Sequence, residues 1–226
     1  MIKFIIKIID NYYHKLRIFD FFSKKNIHNY IDVGAFEGSY TDIFLKKAKK
    51  CIIFEPQRKY YLYLNSKYKN NKKVKVFNFA LGEKFTKKKL KINYLESTST
   101  LSTINKNSKW YKFKKLLLLN KDYTKEYLVK VKPLDGIDQI KKLKEITVLK
   151  IDAEGYDLNV LKGAKKKLTK IRYIIVERHI DSMYKNYNFK EISNFMKLNK
   201  FRSAKKIKFP FLSFYDEIFT NSRFKE

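Results

Sequence analysis

Tyr30-Ile31-Asp32-Val33-Gly34-Ala35-Phe36-Glu37-Gly38, followed one helix-length later by Ile52-Ile53-Phe54-Glu55-Pro56, decides the fold. An apolar run ends in an acid and a glycine turn. Room for a helix follows, and a second apolar run ends in Glu. That layout is a nucleoside-binding βαβ unit. Glycine in the turn lets backbone approach a ligand closely, and Glu55 at the second strand end can accept hydrogen bonds from both hydroxyls of a ribose. A dinucleotide is a poor fit, because a pyrophosphate site prefers G-x-G-x-x-G with helix N–H groups facing phosphate. Here the spacing is G-x-x-x-G, with Asp32 before the first glycine and Glu37 inside the turn. Carboxylates there repel phosphate and suit an adenosine carrying a cationic sulfonium, which points to S-adenosylmethionine. Asp32, Gly34, Ala35, Phe36, Gly38, Glu55 and Pro56 are the candidate cofactor contacts on this side.

Outward from this unit, strand and helix patterns alternate. Val74 to Phe79 reads as a third strand closing with Ala80-Leu81-Gly82, Leu90 to Asn93 and Tyr127 to Val131 as short strands, and Thr147 to Ile151 as a buried one. Tyr173 to Val176 is a strand ending in Glu177, Phe189 to Leu198 a helix, and Phe211 to Tyr215 and Ile218 to Thr220 the final strands. Such alternation predicts an α/β domain with a mostly parallel sheet covered by helices on both faces. No repeat or Pro/Gly-rich linker divides the chain, so the expectation is one domain over 1–226. It consists of an N-terminal helical extension, 1–29, and a Rossmann-like core, 30–226. In the extension Ile2, Ile5, Ile6, Ile9, Tyr13 and Leu16 recur at helical spacing, with Lys3, Lys7, Asp10 and Lys15 off the stripe. A helix docked on the domain is the default; a basic helix lying in a membrane plane is the alternative.

The 226 residues carry 52 Lys+Arg against 22 Asp+Glu, a net charge of +30. This raises encounter rates with anionic partners. Lysine outweighs arginine, and Asn, Ile, Tyr and Phe are abundant too, a bias that AT-rich codons also produce. A hydrophobic content of 44% argues against global disorder. Cys51 is the single cysteine, so there is no disulfide framework, and no zinc-ligand spacing is present. The expected location is the cytoplasm, with the inner membrane surface as the peripheral alternative.

Two blocks together resemble the FkbM family of S-adenosylmethionine-dependent methyltransferases. One is Asp32-Val33-Gly34-Ala35-Phe36-Glu37-Gly38 with Phe54-Glu55-Pro56. The other is Val131-Lys132-Pro133-Leu134-Asp135 leading to Leu149-Lys150-Ile151-Asp152-Ala153-Glu154-Gly155-Tyr156-Asp157-Leu158-Asn159-Val160-Leu161-Lys162-Gly163-Ala164. Ile174-Ile175-Val176-Glu177-Arg178-His179 is similar to the family's next strand end. The family often has Asn where this chain has Phe36, which puts one polar contact to the methionine moiety in doubt. The resemblance implies a class I methyltransferase fold, Rossmann-like, with a seven-stranded sheet and the cofactor at the strand C-termini. It further implies adenine contacts near Asn78, Ala80 and Leu81, and O-methylation of a hydroxyl on a sugar, glycolipid or natural product.

Lys150, Asp152 and Glu154 alternate, so a continuing strand points all three to one face, where Asp152 and Glu154 border the sulfonium and the acceptor. Methyl transfer to an alcohol needs in-line placement and a destination for the hydroxyl proton. Asp152, Glu154 and His179 are the catalytic candidates; the competing readings are a helix-capping Glu154 and a surface His179. Paired acids can hold a divalent metal with the acceptor's oxygens, although nothing in the sequence requires one. Ser97 to Thr103 is a hydroxyl-rich loop suited to a lid over a carbohydrate acceptor, and Trp110, Tyr111 and Phe113 among lysines can stack on rings. The expected activity is O-methylation of a sugar, glycan or related small-molecule acceptor, with an anionic one suited to the basic surface. RNA methylation and a catalytically silent nucleoside-binding scaffold are the rivals.

Overall fold

In a computed structural model that describes residues 9, 13–93, 95–117, 125–180, 183–185, 187–210 and 214–225, the regular elements in chain order are α1 (Lys15–Phe21), β1 (Asn29–Val33), α2 (Ser39–Leu45), β2 (Lys50–Phe54), α3 (Arg58–Lys67), β3 (Val74–Phe77), β4 (Ala80–Leu81), β5 (Thr86–Ile92), α4 (Lys109–Leu117), β6 (Lys125–Lys132), α5 (Asp138–Lys141), β7 (Ile146–Ile151), α6 (Asp157–Lys162), β8 (Ile171–His179), α7 (Phe189–Leu198), β9 (Phe201–Lys208) and β10 (Phe214–Asn221).

Seven strands form one sheet in the order β3-β2-β1-β7-β8-β10-β9. β1 runs parallel to β2 and β7, β2 to β3, and β7 to β8, while β10 is antiparallel to both neighbours. The central strands are largely apolar because both faces are covered: every residue of β7 is buried, Thr147 and Lys150 included. Alternate residues feed two cores. Ile31, Val33, Ile52, Phe54, Leu149 and Ile151 meet α6 and α7 through Val160, Leu161, Ile192 and Met196. Tyr30, Cys51, Val148 and Tyr173 meet α1 and α2 through Ile18, Phe22 and Phe44. The expected mostly parallel seven-stranded sheet with helices on both faces is therefore present.

Chain order reverses between β1 and β7, which opens a crevice at their C-terminal ends. Backbone bonds bring these ends level: Asp152 N–H donates to Val33 O (3.1 Å), Gly34 N–H to Phe54 O (3.0 Å) and Glu55 N–H to Phe77 O (3.0 Å). A second sheet of order β4-β6-β5 stands beside this edge. The two short strands expected near Leu90 and Tyr127 are its longer members.

Three expectations are corrected. Tyr13 and Leu16 are about half exposed, whereas His14, Lys15, Ile18 and Phe22 form the buried face of the N-terminal helix. Asp216 draws His14 inward (2.7 Å), and Lys15 lies over the Tyr40 ring (5.2 Å); Ile2, Ile5 and Ile6 lie outside the described residues. β9 was not expected, because Phe-Arg-Ser-Ala-Lys-Lys-Ile-Lys buries only Phe201 and Ile207, as suits an edge strand guarded by lysine. Finally, Phe214 through Asn221 is a single strand, and residues 211–213 lie outside the described residues. Among the described residues no helix is long and apolar enough to cross a membrane.

Candidate active site

The crevice holds a cleft enclosing about 540 Å³ of non-atom space, part of it open to solvent. Gly34, Phe36, Glu55 and Pro56 line one wall, Ala80, Leu81 and Leu90 of the second sheet another, and Asp152, Ala153, Glu154 and Tyr156 the third. Ser97, Ser99 and Leu101 of the hydroxyl-rich loop also line it. Thr100 ties this loop to the third wall by donating to Glu154 O (2.6 Å).

Glu55 is the organising acid of the first wall. It is 2% exposed, and each carboxylate oxygen accepts one backbone N–H, Oε2 from Phe36 (2.8 Å) and Oε1 from Gln57 (2.8 Å). Burial pushes its pKa up to about 7, with the two N–H groups partly opposing that. Phe36 adopts φ +52° and Glu154 φ +50°. Both are left-handed conformations that non-glycine residues rarely hold, and they stand on opposite walls of one cleft, as strained backbone at functional sites tends to do.

The other expected contacts are placed differently. Asp32 is fully buried beneath the turn, accepting from the Thr41 hydroxyl (2.7 Å) and facing Lys150 Nζ (3.6 Å). Ala35 packs with Ile53, Leu64 and Tyr68. Gly38 caps α2 at φ +76°, and a Cβ there would meet Leu64 and Tyr68 at 2.7 Å. Asn78 donates to the carbonyls of Glu55 (3.0 Å) and Pro56 (3.2 Å) and faces a neighbouring basic groove with Arg58, Lys59, Lys125 and Lys130.

On the opposite wall β7 ends at Ile151, so the expected continuation of the strand to Glu154 does not occur. Lys150 and Asp152 still meet (3.1 Å). Lys150 is 2% exposed and bridges Asp32 and Asp152; burial pulls its pKa down, but these two acids more than offset that and hold it above the ordinary lysine value. Asp157, rather than Glu154, organises the following turn, accepting from Ala153 N–H (2.9 Å) and Gly155 N–H (3.1 Å).

Glu154 instead turns toward β8. Its Oε2 accepts from the Tyr184 hydroxyl and lies 4.0 Å from His179 Nε2, while Glu177 Oε2 lies 3.6 Å from the same nitrogen. His179 is 9% exposed rather than a surface histidine. Sequence reasoning missed Glu177 as a site residue, although its alternation with His179 on one strand was a usable signal. Tyr184 sits in a segment without regular periodicity. Tyr111 packs with Ile104, Met183 and Tyr184 rather than facing a ligand, and Phe113 is exposed; the Trp110 side chain lies outside what is described.

A family model described as the methyltransferase FkbM domain matches residues 32–203. Among solved structures, the methyltransferase FkbM from Methylobacillus flagellatus is similar over 86% of this chain at 15% identity with a TM-score of 0.55; this chain spans 44% of that protein's length. The N-methyltransferase NodS from Bradyrhizobium japonicum matches 94% of this chain and 96% of its own at 6% identity and a TM-score of 0.57. TrmK of M. capricolum, solved with S-adenosylhomocysteine, matches 95% of this chain and 70% of its own at 8% identity and a TM-score of 0.54. At such identities these likenesses show the fold alone. A search of curated proteins returns no match.

Proposed function

We propose, for a chain that belongs to the FkbM methyltransferase family, transfer of the sulfonium methyl of S-adenosylmethionine to a hydroxyl of a sugar, glycan or related small-molecule acceptor. The observation that carries this reading is Glu55, a buried carboxylate held by two backbone N–H groups at the rim of the crevice. Each oxygen keeps acceptor capacity beyond the one N–H it binds, which suits two vicinal ribose hydroxyls. Phe36, Pro56, Leu81 and Leu101 supply apolar walls for a flat base.

Bound S-adenosylmethionine supplies an electrophilic methyl whose sulfur leaves as a neutral thioether. The chain's own residues bind, orient and exclude water. Glu55 holds the ribose, and the Ser97–Leu101 cover shields the cleft. Asp152 faces the cofactor while keeping Lys150 in place. Glu154 and His179 receive the acceptor's hydroxyl and give its proton somewhere to go. Asp32, Ala35 and Gly38 shape the turn from behind, and Asn78 braces the carbonyls that follow Glu55.

The test is methyl-labelled S-adenosylmethionine incubated with the protein and with separate glycan and RNA fractions. Label in the glycan fraction, absent with Glu154→Gln or His179→Ala, is expected. RNA is the second reading, favoured by the net charge of +30 and by the lysines along the antiparallel β5–β6 pair; label entering RNA, steeply reduced by salt, would replace the first reading. Cofactor binding with no label in either fraction would leave the scaffold reading.

A further inference from the structure

Glu177 and His179 alternate at the end of β8, so both side chains leave one face, and Glu154 reaches them from the turn after β7. Their ligating atoms lie within 4.8 Å of one another. All three residues are at least nine-tenths buried, with exposures of 9%, 8% and 9% for Glu154, Glu177 and His179.

The neighbouring acids have their counterparts. Lys150 stands between Asp32 and Asp152, and Asp216 accepts from His14 (2.7 Å) and the Tyr40 hydroxyl (2.7 Å). Glu177 Oε2 faces His179 at 3.6 Å rather than a lysine and, like Asp32 Oδ1, accepts no hydrogen bond among the described residues. A buried carboxylate oxygen left in that condition is costly. Asp152 and Glu154 crowd around it as well, Asp152 close enough to share a hydrogen bond with Glu177 when one of the two is protonated.

We propose that Glu154, Glu177 and His179 form a divalent-cation site, with three protein ligands and open positions for acceptor oxygens; with a cation held there, its polarisation of the acceptor hydroxyl would take the place of His179 and Glu154 as direct proton acceptors. Two carboxylates with one imidazole suit Mn²⁺ or Zn²⁺ better than Ca²⁺ or Cu⁺. Ligand atoms about 2.1 Å from such a cation stand roughly 3.0–3.5 Å apart, so the cluster, with His179 at 3.6 and 4.0 Å from the two carboxylates and all three atoms within 4.8 Å, must draw together on binding. The supporting shell is built. Tyr184 donates to the Glu154 carboxylate, an outer partner of the kind that orients a metal ligand, and Tyr187 braces the strand end through backbone, donating to the Glu177 carbonyl (3.1 Å) and accepting from the His179 amide N–H (3.1 Å). Acceptor binding at the open positions rests on the methyltransferase reading above; the cation site itself does not.

The test uses full-length protein stripped with chelator and titrated with Mn²⁺ under electron paramagnetic resonance. One Mn²⁺ per chain is expected, displaced by Zn²⁺ and showing nitrogen coupling from one imidazole. Glu177→Gln and His179→Ala each weaken binding at least about tenfold, while Asp138→Asn at an exposed acid leaves it unchanged. Should a variant fold poorly, the wild-type nitrogen coupling decides. No stoichiometric Mn²⁺, no nitrogen coupling, or undiminished binding in folded variants overturns the site. S-adenosylhomocysteine binding on the same stripped sample separates the two claims: nucleoside without Mn²⁺ ends the cation site alone, and Mn²⁺ without nucleoside ends the methyltransferase reading alone.

Discussion

Gly34 and Asp152 are in backbone contact: a Cβ on Gly34 would lie 2.0 Å from the Asp152 carbonyl oxygen. The first turn and the second acidic block, far apart in sequence, thus close on each other at the switch point between β1 and β7. Gly34 also holds φ +74°, so both space and conformation demand glycine. Gly34→Ala is expected to cost at least ~3 kcal/mol in urea unfolding and to abolish nucleoside binding in whatever fraction stays folded. A wild-type-like midpoint would contradict the contact.

Lys150 is the buried cation that both Asp32 and Asp152 face. Lys150→Met keeps the length of the side chain and removes the charge, leaving two acids without it. Breaking a buried pair from one side costs roughly 3–5 kcal/mol. Denaturant unfolding should read a loss of that size, and a change below 1 kcal/mol would show the trio to be no more than a surface-type pair.

Glu55 gives a pH dependence. Burial raises its pKa from 4.5 to about 7 in the folded chain. Its stabilising contribution is therefore fully present below about 4.5 and is lost as pH rises through about 7. Nucleoside binding runs the other way, because the ionised carboxylate is the better acceptor of ribose hydroxyls. S-adenosylhomocysteine affinity should rise from pH 6 to pH 8, and Glu55→Gln should weaken binding and flatten the profile. Calorimetry at three pH values checks both.

Cys51 is fully buried in β2, and burial pushes its thiol up to about 12. A thiol-reactive dye should label the folded chain only at the rate of unfolding and label it at once in denaturant. Fast labelling of the native protein would place Cys51 outside the core.

The central sheet was legible because β1, β2 and β7 are mostly apolar, interrupted chiefly by Asp32, Thr147 and Lys150, and lead directly into Gly34, Glu55 and Asp152. The Leu161-Lys162-Gly163-Ala164 run has a packing cause: a Cβ on Gly163 would lie 1.9 Å from the Gly82 carbonyl oxygen. β9 was illegible since its lysines outnumber its core contacts, and the separate β4-β6-β5 sheet depends on pairings no local pattern announces. In the site, Glu55 could be read from its strand end. The cluster of Glu154 with Glu177 and Tyr184 depends on a turn at φ +50° and a segment thirty residues away.

The most direct measurement is calorimetric titration of the purified chain with S-adenosylhomocysteine, run beside Glu55→Ala. One saturable site is expected, weakened at least about thirtyfold in the variant, as loss of two charge-assisted hydrogen bonds implies. No binding heat at any temperature tried, or equal affinity in both proteins, would contradict the placement of the cofactor's ribose on Glu55.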